Sequence, residues 1–163
     1  MKSWPYVLAA LVFVADQLTK YWIINTVGLE SLGTIPVLPF FSLTWVQNYG
    51  VSMGLLQADS ETGRWLLVGL TAIISLVVAV WITREKLPTE RFALGLILGG
   101  ALGNIVDRIR FGYVVDFVHV HAGQWSFYVF NVADAAISVG VAILLWRALI
   151  GGSGDAKETA RHA

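Results

Sequence analysis

Cysteine is absent from the 163 residues of this chain, which excludes disulfides, thiolate metal sites, a cysteine nucleophile and cysteine acylation. Charge is scarce: Asp, Glu, Lys and Arg make up 13%, about half of the ~25% usual in soluble domains. Eleven basic residues balance eleven acidic ones. No basic block could neutralise a run of phosphates, so nucleic acid is not an expected partner. What fills the chain is apolar: 56% hydrophobic residues, with 16 glycines besides. A soluble domain this short has too little interior to hide that surface, and disorder needs the opposite composition. The solvent is lipid.

Four hydrophobic spans divide the sequence, at residues 5–24, 65–83, 92–106 and 125–146; the third is short of the length that crosses a ~30 Å hydrocarbon core and reaches it only if its Asp107–Arg108 end sits at an interface. The expected fold class is an all-α polytopic membrane protein, with a single domain over residues 1–150, outer loops at 25–63 and 109–124, and a disordered cytoplasmic tail at 151–163. Asp16 and Lys20 interrupt the first span and no cleavage site follows, so that span reads as a retained helix and not a signal peptide. In the fourth span, Trp125 and Trp146 suit the two membrane interfaces. Lys2, Arg84, Lys86, Arg91, Arg147, Lys157 and Arg161, seven of the eleven basic residues, fall on the side of the termini and the loop between spans two and three, whereas 25–63 has none. The positive-inside rule makes that side cytoplasmic.

The outer loops are not simple connectors. Phe41, Leu43 and Trp45 alternate with Ser42, Thr44 and Val46, the period-two signature of a strand with one face covered, and residues 113–121 repeat it. A small β-sheet cradle on the extracytoplasmic surface is expected, able to receive an extended chain, with Ser60 as a cap for the second helix. Gly95, Gly99 and Gly103 recur every four residues in span three, and Ala133, Ala136 and Gly140 offer a smooth strip in span four; this pattern predicts close packing of spans three and four.

Ionisable groups in membrane helices are expensive unless paired or functional. Asn104, Asp107 and Arg108 share a helix face. Asn131 and Asp134 lie three apart, and Asp134, nine residues after Trp125, is expected about 13 Å down its helix. With Asp116, these groups converge near the outer boundary. Two carboxylates held together share a proton, so that one activates water while the other protonates the carbonyl. Asp116 and Asp134 fit such a dyad, with Asp107 pairing with the neighbouring Arg108 or Arg110; a purely structural polar cluster fits the spacing equally. Asp16 and Lys20, one helical turn apart, neutralise each other. His119 and His121 face one way on a strand but have no third metal ligand at a recognisable spacing, and a Ser52–Lys20 nucleophile competes with the Asp16–Lys20 pair. Readings from other classes are a small transporter with a proton relay through Asp16, Asp107 and Asp134, and an assembly protein using its glycine strip.

Five blocks in order decide between them: Asp16-Gln17-Leu18-Thr19-Lys20; Asn48-Tyr49-Gly50; residues 99–104 with Asp107-Arg108; Val114-Val115-Asp116-Phe117; and Phe130-Asn131-Val132-Ala133-Asp134. Over about residues 4–146 the chain resembles the lipoprotein signal peptidases, or signal peptidases II. The resemblance implies a bacterial inner-membrane aspartyl protease, both termini cytoplasmic and the site extracytoplasmic, that removes the signal peptide from diacylglyceryl-modified prolipoproteins. It implies Asp116 and Asp134 as the catalytic pair, with Asn48, Gly50, Asn104, Asp107, Arg108 and Asn131 lining the site or holding substrate, and Asp16 and Lys20 supporting it. It requires no metal and no cofactor. The expected partners are the prolipoprotein and membrane lipid, and the chain is expected to act as a monomer. Val51 and Met53 depart from the family's pattern, which has Ala and an aromatic residue there.

Overall fold

A computed structural model describes residues 3–50, 61–123 and 125–159. Ser52, Ser60, Val51 and Met53 lie outside the described residues. In chain order the elements are α1 (Trp4–Tyr21), a π-helical extension (Trp22–Val27), α2 (Leu29–Leu32), β1 (Thr34–Leu38), β2 (Phe41–Asn48), α3 (Glu61–Arg84), α4 (Pro88–Phe111), β3 (Val114–Ala122), β4 (Trp125–Ser126) and α5 (Val132–Thr159). Four helices are long and apolar enough to cross a membrane: Trp4–Val27, Glu61–Arg84, Pro88–Phe111 and Val132–Leu149.

α4 is the centre of the bundle. In its most apolar stretch 56% of residues are inside the protein, against 28% or less in the other three helices. Lipid tails are as apolar as leucine, so such helices associate by close van der Waals fit, and small residues permit it. The glycine stripe does this, but toward a different neighbour from the one expected. A Cβ on Gly99 would stand 2.5 Å from the Ala9 carbonyl oxygen, one on Gly95 would stand 2.8 Å from that of Pro5, and one on Gly103 would collide with Asp16, all on α1. The α4–α5 contact is made instead by Gly100 against Ala133 and by Gly140 against Ala93 and Ile97. Residues four apart share one face, whereas Gly100 is turned ~100° from Gly99 and meets the other helix.

Four strands form an antiparallel meander in the order β1-β2-β3-β4 at the end of the bundle away from the 84–88 turn. A bulge lies between Leu43 and Val46, and beyond it Val46 pairs with Asp116 and Asn48 with Val114. Ile23 and Leu29, fully buried, pack with Val115 and Phe117 and fasten the sheet to the π-helical end of α1.

Two boundaries differ from the sequence reading. The fourth helix starts at Val132, because residues 125–130 stay on the sheet: Trp125 pairs with Ala122, and Phe130 exchanges backbone hydrogen bonds with Val118. Trp125 is therefore not a helix residue, and Asp134 sits in the first turn of α5 instead of 13 Å along it. At the other end α5 runs on to Thr159, where a disordered tail is expected from 151. The helix continues through Gly151, Gly152 and Gly154 against their low helix propensity, each further residue of an established helix adding a hydrogen bond. Residues 160–163 lie outside the described residues.

Candidate active site

The last polar turn of α1 supplies Asp16, Gln17 and Lys20. All three face α4, where the lack of a side chain at Gly103 leaves room for Asp16. The Lys20 ammonium, 2% exposed, lies 2.9 Å from Asp16 Oδ2 and 2.7 Å from Asp107 Oδ2 and donates to Asn104 Oδ1 at 3.3 Å. Gln17 Nε2 donates to Asp107 Oδ1 at 3.0 Å. Asp107 therefore pairs with Lys20 across the helix interface and not with its sequence neighbours Arg108 or Arg110. Arg108 points about 100° away around the helix, and Arg110, though three residues on and on a neighbouring face, lies over the Phe111 ring instead.

Each of these two carboxylates also holds backbone that carries another aspartate. Asp107 Oδ2 accepts the Val115 N–H at 3.1 Å, next to Asp116. Asp16 Oδ1 accepts the Ala133 N–H at 3.0 Å, next to Asp134. One buried ammonium thus ties together the two segments that present Asp116 and Asp134.

Three asparagines complete the arrangement. Asp116, 1% exposed, accepts from Asn131 Nδ2 at 2.7 Å on one oxygen and from Asn48 Nδ2 at 2.9 Å on the other. Asp134 Oδ1 accepts from Asn104 Nδ2 at 2.8 Å. Asn131 Nδ2 also reaches Asn104 Oδ1 at 3.2 Å. Asn48 is set by its own turn: Gly50, at a φ of 103° that favours glycine, donates its N–H to Asn48 Oδ1 at 2.9 Å.

Burial, and then the charge of Asp134, push the Asp116 carboxyl up to about 7, against the hydrogen bonds from Asn48 and Asn131, which favour its ionised form. Asp134, half-buried, stands at the positive end of the α5 dipole, where negative charge is favoured. Arg108 extends from α4 with one long hydrogen bond, 3.4 Å to the Asn104 carbonyl, and its buried Nε faces no acceptor among the described residues. The cluster sets four carboxylates against two cations, so a shared proton relieves it.

The family described as signal peptidase (SPase) II matches residues 8–150. The chain belongs to the signal peptidase II family. Its sequence is 54% identical to the lipoprotein signal peptidase of Rhizorhabdus wittichii over 144 residues, covering 88% of this chain and 84% of that one. It is 48% identical to the lipoprotein signal peptidase of Sphingopyxis alaskensis over 156 residues, covering 93% and 90%. A solved bacterial membrane enzyme, determined by the in meso method at 2.3 Å resolution, superposes with a TM-score of 0.77 at 27% identity, over 93% of this chain and 90% of its own. A signal peptidase II is a membrane protease, and the aspartic type follows from the family.

Of the ten residues singled out in the sequence, Asp16, Lys20, Asn48, Asn104, Asp107, Asp116, Asn131 and Asp134 meet in this cluster, joined by the bonds above, and Arg108 adjoins it through the Asn104 carbonyl. Gly50 enters through its backbone. His119 and His121 stand elsewhere on the sheet, bonded to Ser42, Thr44 and Ser126, and no group of three metal-ligating side chains occurs among the described residues. Sequence reasoning gave no role to Gln17, although a polar residue beside Asp16 in a membrane span was a signal. It could not find the Val115 and Ala133 N–H groups, which carry no sequence signature.

Proposed function

We propose that this chain removes the signal peptide from diacylglyceryl-modified prolipoproteins, cutting immediately before the lipidated Cys with water activated by Asp116 and Asp134. One observation carries the reading: two carboxylates from different elements are held by asparagines on opposite sides, and Asp116 keeps its proton up to about 7. That is the division of labour an aspartyl dyad needs.

In the reaction, the Asp134 carboxylate takes a proton from water as the oxygen attacks the scissile carbonyl carbon. Asp116 gives its proton to the carbonyl oxygen, forming a tetrahedral diol. The proton on Asp134 then passes to the Cys nitrogen, the C–N bond breaks, and one diol hydroxyl returns its proton to Asp116. Arg108, whose Nε faces no acceptor among the described residues, and Asn48, at the end of β2, would hold substrate carbonyls. The step requires neither metal nor organic cofactor.

The enzyme works as a multi-pass protein of the bacterial inner membrane. The basic 84–91 turn and both termini are cytoplasmic, and the sheet and site face outward, where a bond beside a lipid-anchored Cys lies. Exposed Phe40, Trp125 and Tyr128 on the sheet suit that interface. In this reading the chain acts as a monomer. The deciding experiment incubates the purified protein with a diacylglyceryl-modified precursor peptide and reads product masses. Cleavage just before the modified Cys is expected, and cleavage elsewhere or of unmodified peptide alone overturns the reading.

A further inference from the structure

Arg64, in the first turn of α3, reaches the end of α4. Its Nε donates to the Arg108 carbonyl at 2.7 Å and its Nη2 to the Ile109 carbonyl at 2.5 Å. The Ile109 carbonyl, in the last turn of the helix, has no intrahelical donor. The planar guanidinium supplies two donors in a fixed fork and places positive charge at the negative end of the helix dipole. The same Arg108 carbonyl accepts the Gly112 N–H at 3.2 Å. Gly112, at a φ of 87°, turns the chain into β3, and Asp116 follows four residues later.

The grip therefore falls on the junction between two groups of the site. Among the described residues the Arg108 side chain makes one hydrogen bond, a long one, so its direction depends on its backbone. Asp116 hangs from a strand whose entry is fixed by Gly112 on one side and by the Asp107–Val115 bond on the other. Arg64 itself bonds neither aspartate.

We propose that Arg64 is a positioning residue: by forking across the Arg108 and Ile109 carbonyls it sets where the Arg108 guanidinium and the Asp116 carboxyl stand during the reaction. The proposal rests on the reading of Asp116 and Asp134 as the dyad. A plain helix cap would stabilise α4 and leave the turnover of folded enzyme untouched; a positioning residue changes turnover itself, because displacements of about 1 Å cost up to ~100-fold.

The test compares wild type, Arg64→Gln and Arg64→Lys as purified full chains, with Asp116→Asn as the dyad control. Cleavage of the lipidated precursor peptide is measured as kcat and KM from acid to alkaline pH, and amide hydrogen exchange is followed in the same samples. For Arg64→Gln, kcat should fall about tenfold or more, with a smaller change in KM, a displaced alkaline limb, and faster exchange at the end of α4 and at Val115. Arg64→Lys, which keeps the charge but loses the fork, should lie between. Wild-type kcat in folded Arg64→Gln, or unchanged exchange across that junction, overturns the proposal. Should Arg64→Gln not accumulate, full activity of Arg64→Lys overturns it instead. The underlying reading fails separately, through an active Asp116→Asn or an inactive wild type, while the exchange data still report on the clamp.

Discussion

Asn131 and Asp134 cap one another across the first turn of α5: Asn131 Oδ1 accepts the Asp134 N–H at 2.9 Å, and Asp134 Oδ2 accepts the Asn131 N–H at 3.3 Å. This is a capping box, with Asp in the place usually taken by Glu or Gln. It starts the helix and aims the carboxylate with the same two bonds. Because Asn131 also donates to Asp116, one asparagine sets the relative position of the two aspartates.

Asp116→Asn and Asp134→Asn should each leave folded protein nearly unchanged and lower kcat by about 100- to 10,000-fold, as the loss of acid–base catalysis does. The double variant should be little worse than either single one, since residues acting as a unit are non-additive. Substantial turnover by either single variant would return both aspartates to a structural role.

Asp116, titrating at about 7, sets an alkaline limb: activity should decline as pH rises through that value and the shared proton is lost. Asn48 holds this carboxyl down by favouring its charged form, so Asn48→Leu should move the limb to higher pH. The stability effect has a defined sign. A carboxyl raised in the folded state contributes stability that is complete below its unfolded value and disappears as pH rises through about 7. Thermal melts of wild type and Asp116→Asn in detergent should therefore diverge progressively as pH rises from the unfolded value of 3.8 to about 7, and curves that stay parallel across that window would refute the assignment.

Lys20 serves two carboxylates at once. Lys20→Met leaves both without a cation and should destabilise by about 3–5 kcal/mol, as breaking a buried ion pair does. Replacing Asp16 alone beside it cannot restore balance, because Asp107 remains. Recovery of folded protein should need Asp16→Asn and Asp107→Asn together, measured as monodisperse yield after solubilisation.

Gly99 and Gly69 form an internal control. A side chain at Gly99 meets the Ala9 backbone, whereas nothing lies within 4 Å of one at Gly69. Gly99→Ala should cost about 1–3 kcal/mol by overpacking, and Gly69→Ala should be neutral or stabilising. Equal melting temperatures for the two variants would contradict the α1–α4 packing.

Orientation is checked by single cysteines in this cysteine-free chain. Glu30→Cys, next to the sheet, should react with a membrane-impermeant thiol reagent in spheroplasts, and Lys86→Cys should not. The opposite pattern inverts the topology.

The membrane class, the four spans and the sheet were legible in the chain, for a common reason: each follows from residue type at a fixed short spacing. Apolar runs of a given length need lipid, alternation by two makes a strand, and an aspartate in an apolar setting needs a task or a partner. Signals within one element travel with the sequence and require no knowledge of its neighbours.

Which neighbour each feature meets was decided only in three dimensions. α4 carries two glycine faces about 100° apart, and nothing local says that Gly99 faces α1 while Gly100 faces α5. Asp107 stands next to Arg108 in sequence yet pairs with Lys20, 87 positions away, because the helical turn sends adjacent side chains in different directions. The start of α5 likewise depended on a distant strand, since Val118 holds Phe130 on the sheet until Asn131 can cap the helix. Composition and periodicity fix what each segment must be, whereas the choice among contacts of similar chemistry is made by packing, where setting α1 against α4 gives the buried Lys20 both of its carboxylates at once.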